Sequence, residues 1–575
     1  MNAGDLALNG SRLRNQCPPS KKQAIPQESA YHPQFPPDLT RARFGGCTPS
    51  RFMIHESPKK TVFLETFGCQ MNELDSELVT GQLSALGYAF CDDPDHADVL
   101  LYNTCSVREQ AENKVLSRLG IAGLRKKSGE RFVLGVIGCM AERIGAQMLT
   151  RFPQVDLLCG PAELDRLPSL IENAFKTEAV HRADRVALAG NTSRRSQTLL
   201  AATDNLELLD LSRAFDPSKG GHAGKSAYVR ITRGCNKFCT YCVVPYTRGA
   251  EVHRPPDSVL DECKKLADAG VIEITLLGQT VNHYLYTHGT AVTVSGGEAP
   301  QVGPGAAAFT SSRKPLLSSQ KTTTFADLLH RIHEEIPAIR RLRFVTSYPR
   351  DFGDDILSVM RDSPRICRYL HVPVQSGSDR ILKLMNRGYT VSEYLDFIHR
   401  ARAFLPDVCI GSDIIVGFPT ESEEDFLATQ QLVRAARHKN NFIFQYSPRP
   451  GTTAFDRLVD DIPAEEKRRR VNAMLAMQDE VSLAVHREWI GRTVDVFIES
   501  VELESPPAHA SAHLNSNRVE LAWESRASSA DSQGTATHKS SLRITGRTPG
   551  DLIVSASIPP DRSPTPGDII HIKIT

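Results

Sequence analysis

The chain has 575 residues, and its 68 Lys plus Arg are balanced by 67 Asp plus Glu, so the formal net charge is +1. This balance excludes an attraction of nucleic acid by the overall charge, so any RNA contact must come from local basic patches. The chain has thirteen cysteines, no secretory signal and no apolar run of about 18 residues, which argues against a secreted disulfide scaffold and a membrane protein. We therefore expect a cytoplasmic chain with about three or four domains.

The first segment, residues 1–58, is rich in Pro, Gln, Ser and Arg and shows no hydrophobic period. This composition predicts a disordered leader.

Residues 59–175 alternate short apolar runs with helical segments, which predicts an α/β domain built on a small parallel sheet. Cys69, Cys105 and Cys139 each come just after a predicted strand. Because the carboxyl ends of parallel strands share one edge of a sheet, the three thiols should converge there. Three convergent thiolates favour an iron-sulfur cluster in which one iron has no protein ligand; the alternative is that cysteine only fills tight turns. Cys159 follows a fourth strand, and the sequence leaves open whether it joins the three.

Residues 176–224 are polar and are predicted to form a linker. In residues 225–489 the alternation of strands and helices resumes with about six units, which fits a partial parallel barrel whose site lies at the carboxyl ends of the strands. Residues 287–322, rich in Gly, Ala, Ser and Pro, interrupt this pattern, and we interpret them as an inserted solvated loop.

The barrel begins with a cysteine motif, RGCNKFCTYC at residues 233–242, which follows the first predicted strand. Cys235, Cys239 and Cys242 can hold a four-iron cluster and leave one iron open to a small molecule. A local disulfide is less favoured in a reducing compartment. Zinc is the stronger alternative, but its structural sites usually collect four ligands, and no second cysteine pair or His pair follows. The motif resembles the signature of the radical S-adenosylmethionine enzymes. The resemblance implies that the open iron binds the amino and carboxylate groups of S-adenosylmethionine, which is cleaved to a 5'-deoxyadenosyl radical.

Residues 490–575 change to a period of two, which predicts a small C-terminal antiparallel β-barrel with a polar insertion at 504–540. The run ITGRT at residues 544–548 and its position resemble the TRAM domain, a small RNA-binding barrel. Phosphate contacts need local cations. The RNA-binding candidates are Lys467, Arg468, Arg469, Arg470, Arg543 and Arg547.

Three runs in the N-terminal domain make a more specific resemblance: TFGCQMNE at 66–73, NTCSVREQAENKV at 103–115 and GCMAE at 138–142. They resemble the MiaB-type tRNA methylthiotransferases. The resemblance implies two four-iron clusters, an auxiliary one on Cys69, Cys105 and Cys139 and the radical one on the barrel cysteines, with S-adenosylmethionine as cofactor. It also implies that a methylthio group is placed on carbon 2 of N6-dimethylallyladenosine in the tRNA anticodon loop. An electron donor such as flavodoxin or ferredoxin is then an expected partner.

The same resemblance points to cofactor-binding residues in the barrel. Gly278 and Gln279 match the family's Gly-Gln turn, where glycine would let the backbone approach the methionine part. Regions around Ser376 and Ser378, and around Ser412 and Asp413, line the cofactor or substrate cavity in the family. This chain departs from the family pattern at Thr280, Tyr348 and Thr420, where asparagine, histidine, and asparagine or glycine are usual.

Two alternatives remain at this stage. Within the family, the substrate could be a threonylcarbamoyl-modified adenosine or an aspartate of a ribosomal protein. Outside it, the chain could be a non-catalytic RNA-binding protein with structural zinc.

Overall fold

The computed structural model describes residues 60–106, 109–176, 182–189, 207, 209–210, 224–293, 296–303, 321–503, 541–559 and 564–575. The predicted leader at 1–58, most of the predicted linker at 176–224 and the insertion at 504–540 lie outside these residues, so those assignments stay predictions. Within the described part of the predicted linker, Val186 and Ala187 form a strand that pairs with Leu158 and Cys159 of the N-terminal sheet. Within the described residues, no helix has the length and apolar character needed to cross a membrane.

The N-terminal domain is a six-stranded, fully parallel sheet with helices, as predicted. Its strands are β1 (Thr61–Phe67), β2 (Ala89–Phe90), β3 (Val99–Thr104), β4 (Val133–Gly138), β5 (Leu157–Cys159) and β6 (Val186–Ala187). Its helices are α1 (Gln70–Ala85), α2 (Glu109–Lys127), α3 (Cys139–Ile144), α4 (Gln147–Arg151) and α5 (Leu167–Phe175). The central strands β3 and β4 are buried along their whole length, as expected for strands covered on both faces.

The strand order is β2-β1-β3-β4-β5-β6. The chain leaves β1 for β2 on one side and returns to β3 on the other side, so the order reverses between β1 and β3. In open parallel sheets, ligands bind beside the carboxyl ends of the strands at such a reversal. This is the place where Cys69 and Cys105 follow their strands.

The sequence pattern predicts one helix over residues 142–149, and in the structure this helix is divided. Gly145 has φ of 63° and ends α3, and α4 begins at Gln147. Glycine adopts such a positive φ without the steric cost that other residues incur. Cys139 therefore lies at the start of a short helix, directly after β4.

The second domain is the predicted partial barrel of six parallel strands. These are β7 (Ser226–Arg230), β10 (Glu273–Leu277), β14 (Arg341–Phe344), β15 (Tyr369–His371), β16 (Cys409–Val416) and β17 (Asn440–Gln445). They form two three-stranded sheets, and the pairing of Leu342 with Ile366 joins β14 to the segment before β15. A large apolar core lies among these strands and their helices, and a smaller apolar cluster around Phe418 and Tyr446 lies in the same domain.

The helices of this domain are α6 (Val244–Thr247), α7 (Pro256–Asp268), α8 (Phe325–Glu335), α9 (Asp354–Asp362), α10 (Asp379–Leu384), α11 (Val391–Phe404), α12 (Glu423–Ala436), α13 (Thr453–Arg457) and α14 (Ala464–Arg487). The sequence Thr-Val-Ser-Glu at 390–393 predicts a capping box, and the box is present: the Thr390 side chain accepts from the Glu393 N–H, and the Glu393 carboxylate accepts from the Thr390 N–H. Short strands complete the domain: β8 (Thr232–Arg233), β9 (Val252–His253), β11 (Leu285–Thr287), β12 (Gln301–Val302) and β13 (Thr322–Thr324).

The inserted segment 287–322 is more ordered at its base than a solvated loop. Strands β11 and β13, at its two ends, pair antiparallel, and β12 inside it pairs with β9. Ala299 is fully buried and its carbonyl accepts from the Tyr286 hydroxyl at 2.8 Å. The base of the insertion is therefore held on the barrel by strand pairing, by the buried Ala299 and by its hydrogen bond from Tyr286.

The C-terminal domain is a four-stranded antiparallel sheet in the order β20-β19-β18-β21. Its strands are β18 (Thr493–Leu503), β19 (Leu542–Arg547), β20 (Ile553–Ile558) and β21 (Ile569–Lys573). A register shift between Ile498 and Ser500 bends β18, which curls the sheet into a half-barrel. Strands β20 and β21 are the two edges of the described sheet. The antiparallel prediction is confirmed, in the form of an open half-barrel.

Candidate functional site

The three N-terminal cysteines converge at one edge of the sheet. Cys69 is the residue before α1, Cys105 follows β3 and Cys139 opens α3. The Cys105 thiol is hydrogen-bonded to Cys69, and the charge of Cys69 acts on Cys139, so all three are neighbours. Cys105 and Cys139 are buried, and Cys69 is half-buried. We call these residues the N-terminal trio.

A network of two asparagines joins the loops that carry Cys69 and Cys105. The Asn72 amide donates to the Asn103 Oδ1 at 3.0 Å, and the Asn103 amide donates to the Asn72 carbonyl at 2.8 Å. Glycines make room for it: a Cβ on Gly68 would lie 2.6 Å from the Asn72 Oδ1, and a Cβ on Gly138 would lie 2.4 Å from the Asn103 Oδ1. The short polar residues and glycines around the cysteines thus hold the ends of β1, β3 and β4 in one arrangement.

Arg248 connects this trio to the barrel. Its guanidinium Nη2 donates to the Asp75 Oδ2 at 2.8 Å, and Arg248 also donates to Cys139. Asp75 lies on α1 and is fully buried, and its Oδ1 accepts from Arg230 of β7 at 3.4 Å. Arg248 comes six residues after Cys242, so one buried ion pair ties the two cysteine loops together.

The electrostatic surroundings of the trio favour thiolate chemistry at Cys69. The hydrogen bond from Cys105 lowers the pKa of Cys69 to about 6, and Arg248 adds to the effect against the opposing effect of burial. Burial raises the pKa of Cys139, while Arg248 opposes the rise. A cation beside buried thiols is the environment that metal-binding thiolates use.

The barrel cysteines form a second group, which we call the barrel trio. Cys235 follows β8, and a tight turn at Gly234, with φ of 72°, precedes it. A Cβ on Gly234 would lie 1.9 Å from the Ala250 carbonyl oxygen, so only glycine fits. The Thr240 N–H donates to the Met385 carbonyl at 3.0 Å, which fixes the loop against the barrel wall.

In the barrel trio, Cys239 is buried and Cys235 and Cys242 are half-buried, and charged groups lie nearby. Burial, and then the charge of Glu251, raise the pKa of Cys235 to about 12. Burial, followed by the charges of Cys239 and Cys235, raises the pKa of Cys242. The mutual effect of these thiols shows that they lie close together. Arg387 donates to the Cys239 Sγ at 3.3 Å.

A buried ionic network lies beside the barrel trio. The Glu251 Oε1 is 2.9 Å from the His253 Nε2 and 3.5 Å from the His283 Nδ1, and the His283 Nε2 is 2.6 Å from the Asp351 Oδ2. Burial opposes ionisation of Glu251, but His283 and His253 outweigh it and hold the pKa of Glu251 below its usual range. The other oxygen, Oε2, is buried without a hydrogen-bond partner in the described residues.

The structure places the six predicted cofactor-binding residues in different surroundings. Gly278 and Gln279 follow β10; a Cβ on Gly278 would lie 2.1 Å from the Thr232 Oγ1, so packing within the protein already requires glycine there. The Gln279 Oε1 is buried and has no hydrogen-bond partner among the described residues. An unpaired acceptor at this position fits a donor such as the amino group of the cofactor.

The four remaining residues already have partners within the barrel. The Ser378 hydroxyl donates to the Asp425 Oδ1 at 2.5 Å and caps α10, while the Ser376 hydroxyl lies 3.4 Å from that of Thr429. The Ser412 hydroxyl accepts from the Val374 N–H at 2.9 Å. Asp413 lies 3.0 Å from the His371 Nε2. Their cofactor role stays a prediction.

The predicted RNA cations differ strongly in exposure. Lys467 is buried and its ammonium contacts the Asp460 carboxylate at 2.6 and 2.8 Å. Arg470 is buried too and donates to the Glu421 Oε2 at 2.6 Å. An RNA phosphate could reach these two only by breaking ion pairs inside the fold.

The other four candidates lie nearer the surface. Arg469 is paired with Glu466 and Glu423, and Arg547 with Glu499 and Asp551. Arg468 and Arg543 are exposed. RNA binding by these residues stays a prediction, and the exposed pair is the best placed for it.

Cys159 does not join the N-terminal trio. It is fully buried in the domain core and donates to the Glu163 carbonyl at 3.1 Å. Burial, with the nearby charge of Glu163, raises the pKa of Cys159 well above that of a free thiol. This cysteine is a packing residue.

Within the part of the chain that the structure describes, no group of three or more His, Cys, Asp or Glu side chains is arranged to hold a single metal ion. The donor sets instead fit the implied clusters in their chemistry. Each trio supplies three closely spaced thiols, and Gln279 and Glu251 leave buried oxygens unpaired near the barrel trio.

Three features of the site were missed in the sequence. Arg387 lies 148 positions from Cys239, and Asp75 lies 173 positions from its partner Arg248, so no local pattern marks either contact. The Asn72 and Asn103 pair lies within the motifs that carry the cysteines, three residues after Cys69 and two residues before Cys105, and this position was the signal for it.

The comparisons with known proteins agree with this arrangement. The radical SAM superfamily model matches residues 229–433, and the model described as uncharacterized protein family UPF0004 matches residues 61–160. The chain is 41% identical over 446 residues to the tRNA-2-methylthio-N(6)-dimethylallyladenosine synthase of Rhodopirellula baltica, covering 77% of this chain and 84% of that protein. It is 40% identical over 468 residues to the enzyme of the same name from Chromobacterium violaceum, covering 81% of this chain and 94% of that protein.

A solved structure is also similar: the radical S-adenosylmethionine methyltransferase TsrM from Kitasatospora setae, with cobalamin and a [4Fe-4S] cluster bound. It has a TM-score of 0.47 at 15% sequence identity and covers 69% of this chain and 74% of that chain.

Proposed function

Because this chain belongs to the family of the tRNA-2-methylthio-N(6)-dimethylallyladenosine synthases, we propose that it is a radical S-adenosylmethionine methylthiotransferase. The substrate is N6-dimethylallyladenosine beside the anticodon of tRNA, and the product carries a methylthio group on carbon 2. The observation that carries the proposal is the pair of cysteine trios, one at the sheet edge and one at the barrel, joined by the buried ion pair of Arg248 and Asp75.

In this proposal each trio holds one four-iron cluster, and S-adenosylmethionine binds at the barrel. When bound, the barrel cluster and this cofactor supply an organic radical that can attack an unactivated aromatic C–H bond, and the second cluster serves sulfur delivery. Gln279 and Glu251 offer their unpaired oxygens to the cofactor's hydrogen-bond donors. The buried position of Cys239 keeps water away from that end of the site.

Residues around the N-terminal trio position it for this reaction. Arg248 donates to Cys139 and to Asp75, so it holds the sheet edge against the barrel. The asparagine pair, Asn72 and Asn103, fixes the loops of Cys69 and Cys105 relative to each other. Sulfur delivery needs this fixed geometry, because reacting atoms must approach within about 3–3.5 Å.

The tRNA is reached through a single-stranded loop, whose bases can be splayed out of their stack. Arg468 and Arg543 are the exposed cations that we assign to phosphate contact. An electron-donor protein, such as flavodoxin or ferredoxin, completes the set of partners, and the cytoplasmic location expected from the sequence belongs to the same proposal.

The test is mass spectrometry of tRNA nucleosides from cells with and without this gene. We expect 2-methylthio-N6-dimethylallyladenosine to disappear and N6-dimethylallyladenosine to accumulate in the deletion strain. The intact gene should restore the product, and the Cys69→Ala and Cys239→Ala variants should not. Loss of a methylthiolated threonylcarbamoyladenosine, with the dimethylallyl product unchanged, would overturn the substrate assignment.

A further inference from the structure

Arg387 has a set of contacts that the proposed reaction does not yet explain. Its guanidinium donates in three directions: Nη1 to the Cys239 Sγ at 3.3 Å, Nη2 to the Pro373 carbonyl at 2.9 Å and Nε to the Tyr389 hydroxyl at 2.8 Å. The guanidinium carbon lies 4.7 Å from the centre of the Tyr348 ring and 5.1 Å from that of Tyr389. The guanidinium is therefore fixed in position and direction beside one thiol of the barrel trio.

The surroundings of Arg387 lack the usual counter-charge. Among the residues that the structure describes, no Asp or Glu carboxylate forms an ion pair with it, and its nearest polar neighbours are a thiol, a carbonyl and tyrosines. A half-buried charge without a counter-charge costs free energy. The Cys239 Sγ, 3.3 Å from Nη1, is a cluster ligand in the proposed function, and a ligand sulfur carries the negative charge that balances the guanidinium.

An anchoring role alone does not require a cation at this place. The cysteine loop is already held to the segment that carries Arg387 by two other contacts: Thr240 donates through its N–H to Met385 at 3.0 Å and through its hydroxyl to the Leu384 carbonyl at 2.9 Å. Asn386 also donates to the Phe238 carbonyl at 3.0 Å. Arg387 adds a positive charge to a loop that these neutral bonds already fix.

Tyr348 contributes to this placement at a position where the family usually has histidine. Its ring lies near three cations: the guanidinium of Arg387, the Lys237 ammonium at 4.1 Å from the ring centre and the Arg350 guanidinium at 6.0 Å. Its hydroxyl accepts from the N–H of Gly388, the residue after Arg387, at 2.9 Å. The tyrosine thus holds Arg387 in place without neutralising the charge of the guanidinium, whereas a protonated histidine would repel that charge.

We propose that Arg387 is a positioning residue that raises the reduction potential of the cluster held by the barrel trio. The proposal rests on the proposed function, in which this trio holds a four-iron cluster. Reduction adds one electron from the external reductant to the cluster and its thiolates and transfers no atom. A fixed positive charge hydrogen-bonded to a ligand thiolate favours the more negative, reduced form. Removing that charge should make reduction harder.

The test is a redox titration with titanium(III) citrate, followed by electron paramagnetic resonance of the reduced cluster. The full-length chain carries Cys69→Ala, Cys105→Ala and Cys139→Ala, so that only the barrel trio holds iron. With Arg387→Gln we expect the ratio of reduced to oxidised cluster at a fixed solution potential to fall about tenfold, which corresponds to 59 mV for a one-electron couple. Arg387→Lys, which keeps the charge but loses the planar guanidinium and its several donors, should lower the same ratio less, by about threefold.

A matched control removes a positive charge from the same region without touching the trio. Lys383, on α10, is exposed, and Lys383→Gln should leave the ratio within about twofold. An Arg387→Gln variant that holds its iron and titrates like the parent would overturn the inference. If that variant does not load iron, Tyr389→Phe, which removes the hydroxyl that accepts from Arg387, should still lower the ratio; an unchanged ratio there would overturn it as well. A parent without iron on the barrel trio would instead defeat the proposed function.

Discussion

The buried pair of Arg248 and Asp75 gives the sharpest test of how the two cysteine trios are held. Arg248→Met removes the closer of the two cations at Asp75 and leaves Arg230 at 3.4 Å. Removing one partner of a buried pair typically costs about 3–5 kcal/mol because the other charge remains buried. Since Arg230 still compensates part of the Asp75 charge, we expect a loss of about 2–3 kcal/mol in the free energy of unfolding.

A double-mutant cycle separates this pair from general packing. Asp75→Asn removes the carboxylate, and Arg230 keeps its contacts to Asp210 at 2.8 Å. The variant that combines Arg248→Met with Asp75→Asn should therefore be more stable than the sum of the single effects by about 1–3 kcal/mol. The measurement is urea unfolding of the metal-free chain, so that loss of clusters does not contribute. Single effects that add to within about 0.5 kcal/mol would refute a direct interaction.

Arg248→Met should also affect two activities differently: reductive cleavage of S-adenosylmethionine and methylthiolation of tRNA. The barrel trio and its cofactor site do not include Arg248, so reductive cleavage of S-adenosylmethionine should stay within about threefold. Methylthiolation of tRNA should fall by tenfold or more, because sulfur delivery depends on the position of the N-terminal trio. An equal loss of both activities would mean that Arg248 acts on the barrel instead.

Further predictions concern the barrel and its core. Cys239→Ala should reduce the iron content from about eight to about four per chain and abolish cleavage of S-adenosylmethionine, as measured by metal analysis and product chromatography. Gly234→Ala should destabilise the chain by more than about 2 kcal/mol and prevent the barrel trio from holding its cluster, because the added Cβ would lie 1.9 Å from the Ala250 carbonyl oxygen. The control is Gly120→Ala, where nothing lies within 4 Å of the added Cβ; it should be neutral or slightly stabilising in thermal unfolding. Burial lowers the pKa of His438 from 6.5 to about 3. Below pH 6.5 the unfolded chain therefore binds a proton at His438 that the folded chain excludes, so the free energy of unfolding should fall by about 1.4 kcal/mol per pH unit toward pH 3. His438→Gln should remove this slope from urea unfolding measured between pH 4 and 6.

Local patterns were sufficient for the elements and for the convergence of the N-terminal trio. The alternation of apolar runs and helical segments predicts parallel strands, and the position of each cysteine directly after a strand places it at the carboxyl edge. The capping box at Thr390 could be predicted because both of its hydrogen bonds are between residues three positions apart. In each case the deciding interaction is short in sequence or follows from the direction of the strands.

Charge runs were poorer guides, because a sequence shows charges and not their partners. Lys467 and Arg470 belong to the densest run of positive charge, which favoured RNA contact. In the structure they are buried against Asp460 and Glu421. Arg470 and Glu421 lie 49 positions apart, so no local sequence pattern could predict this ion pair. The exposed Arg468 in the same run shows that the helical period, rather than the run itself, decides which cations remain available.

The link between the trios follows from where its two ends lie in the chain. Asp75 is six residues after Cys69 on α1, a distance of about 9 Å along a helix, and Arg248 is six residues after Cys242. Each end of the ion pair is therefore tied to its trio by one short segment of backbone. A movement of α1 relative to the barrel must stretch the pair or move both trios together. Loss of the pair should thus let the trios separate while each domain stays folded, and this is why we expect methylthiolation to fail before cofactor cleavage does.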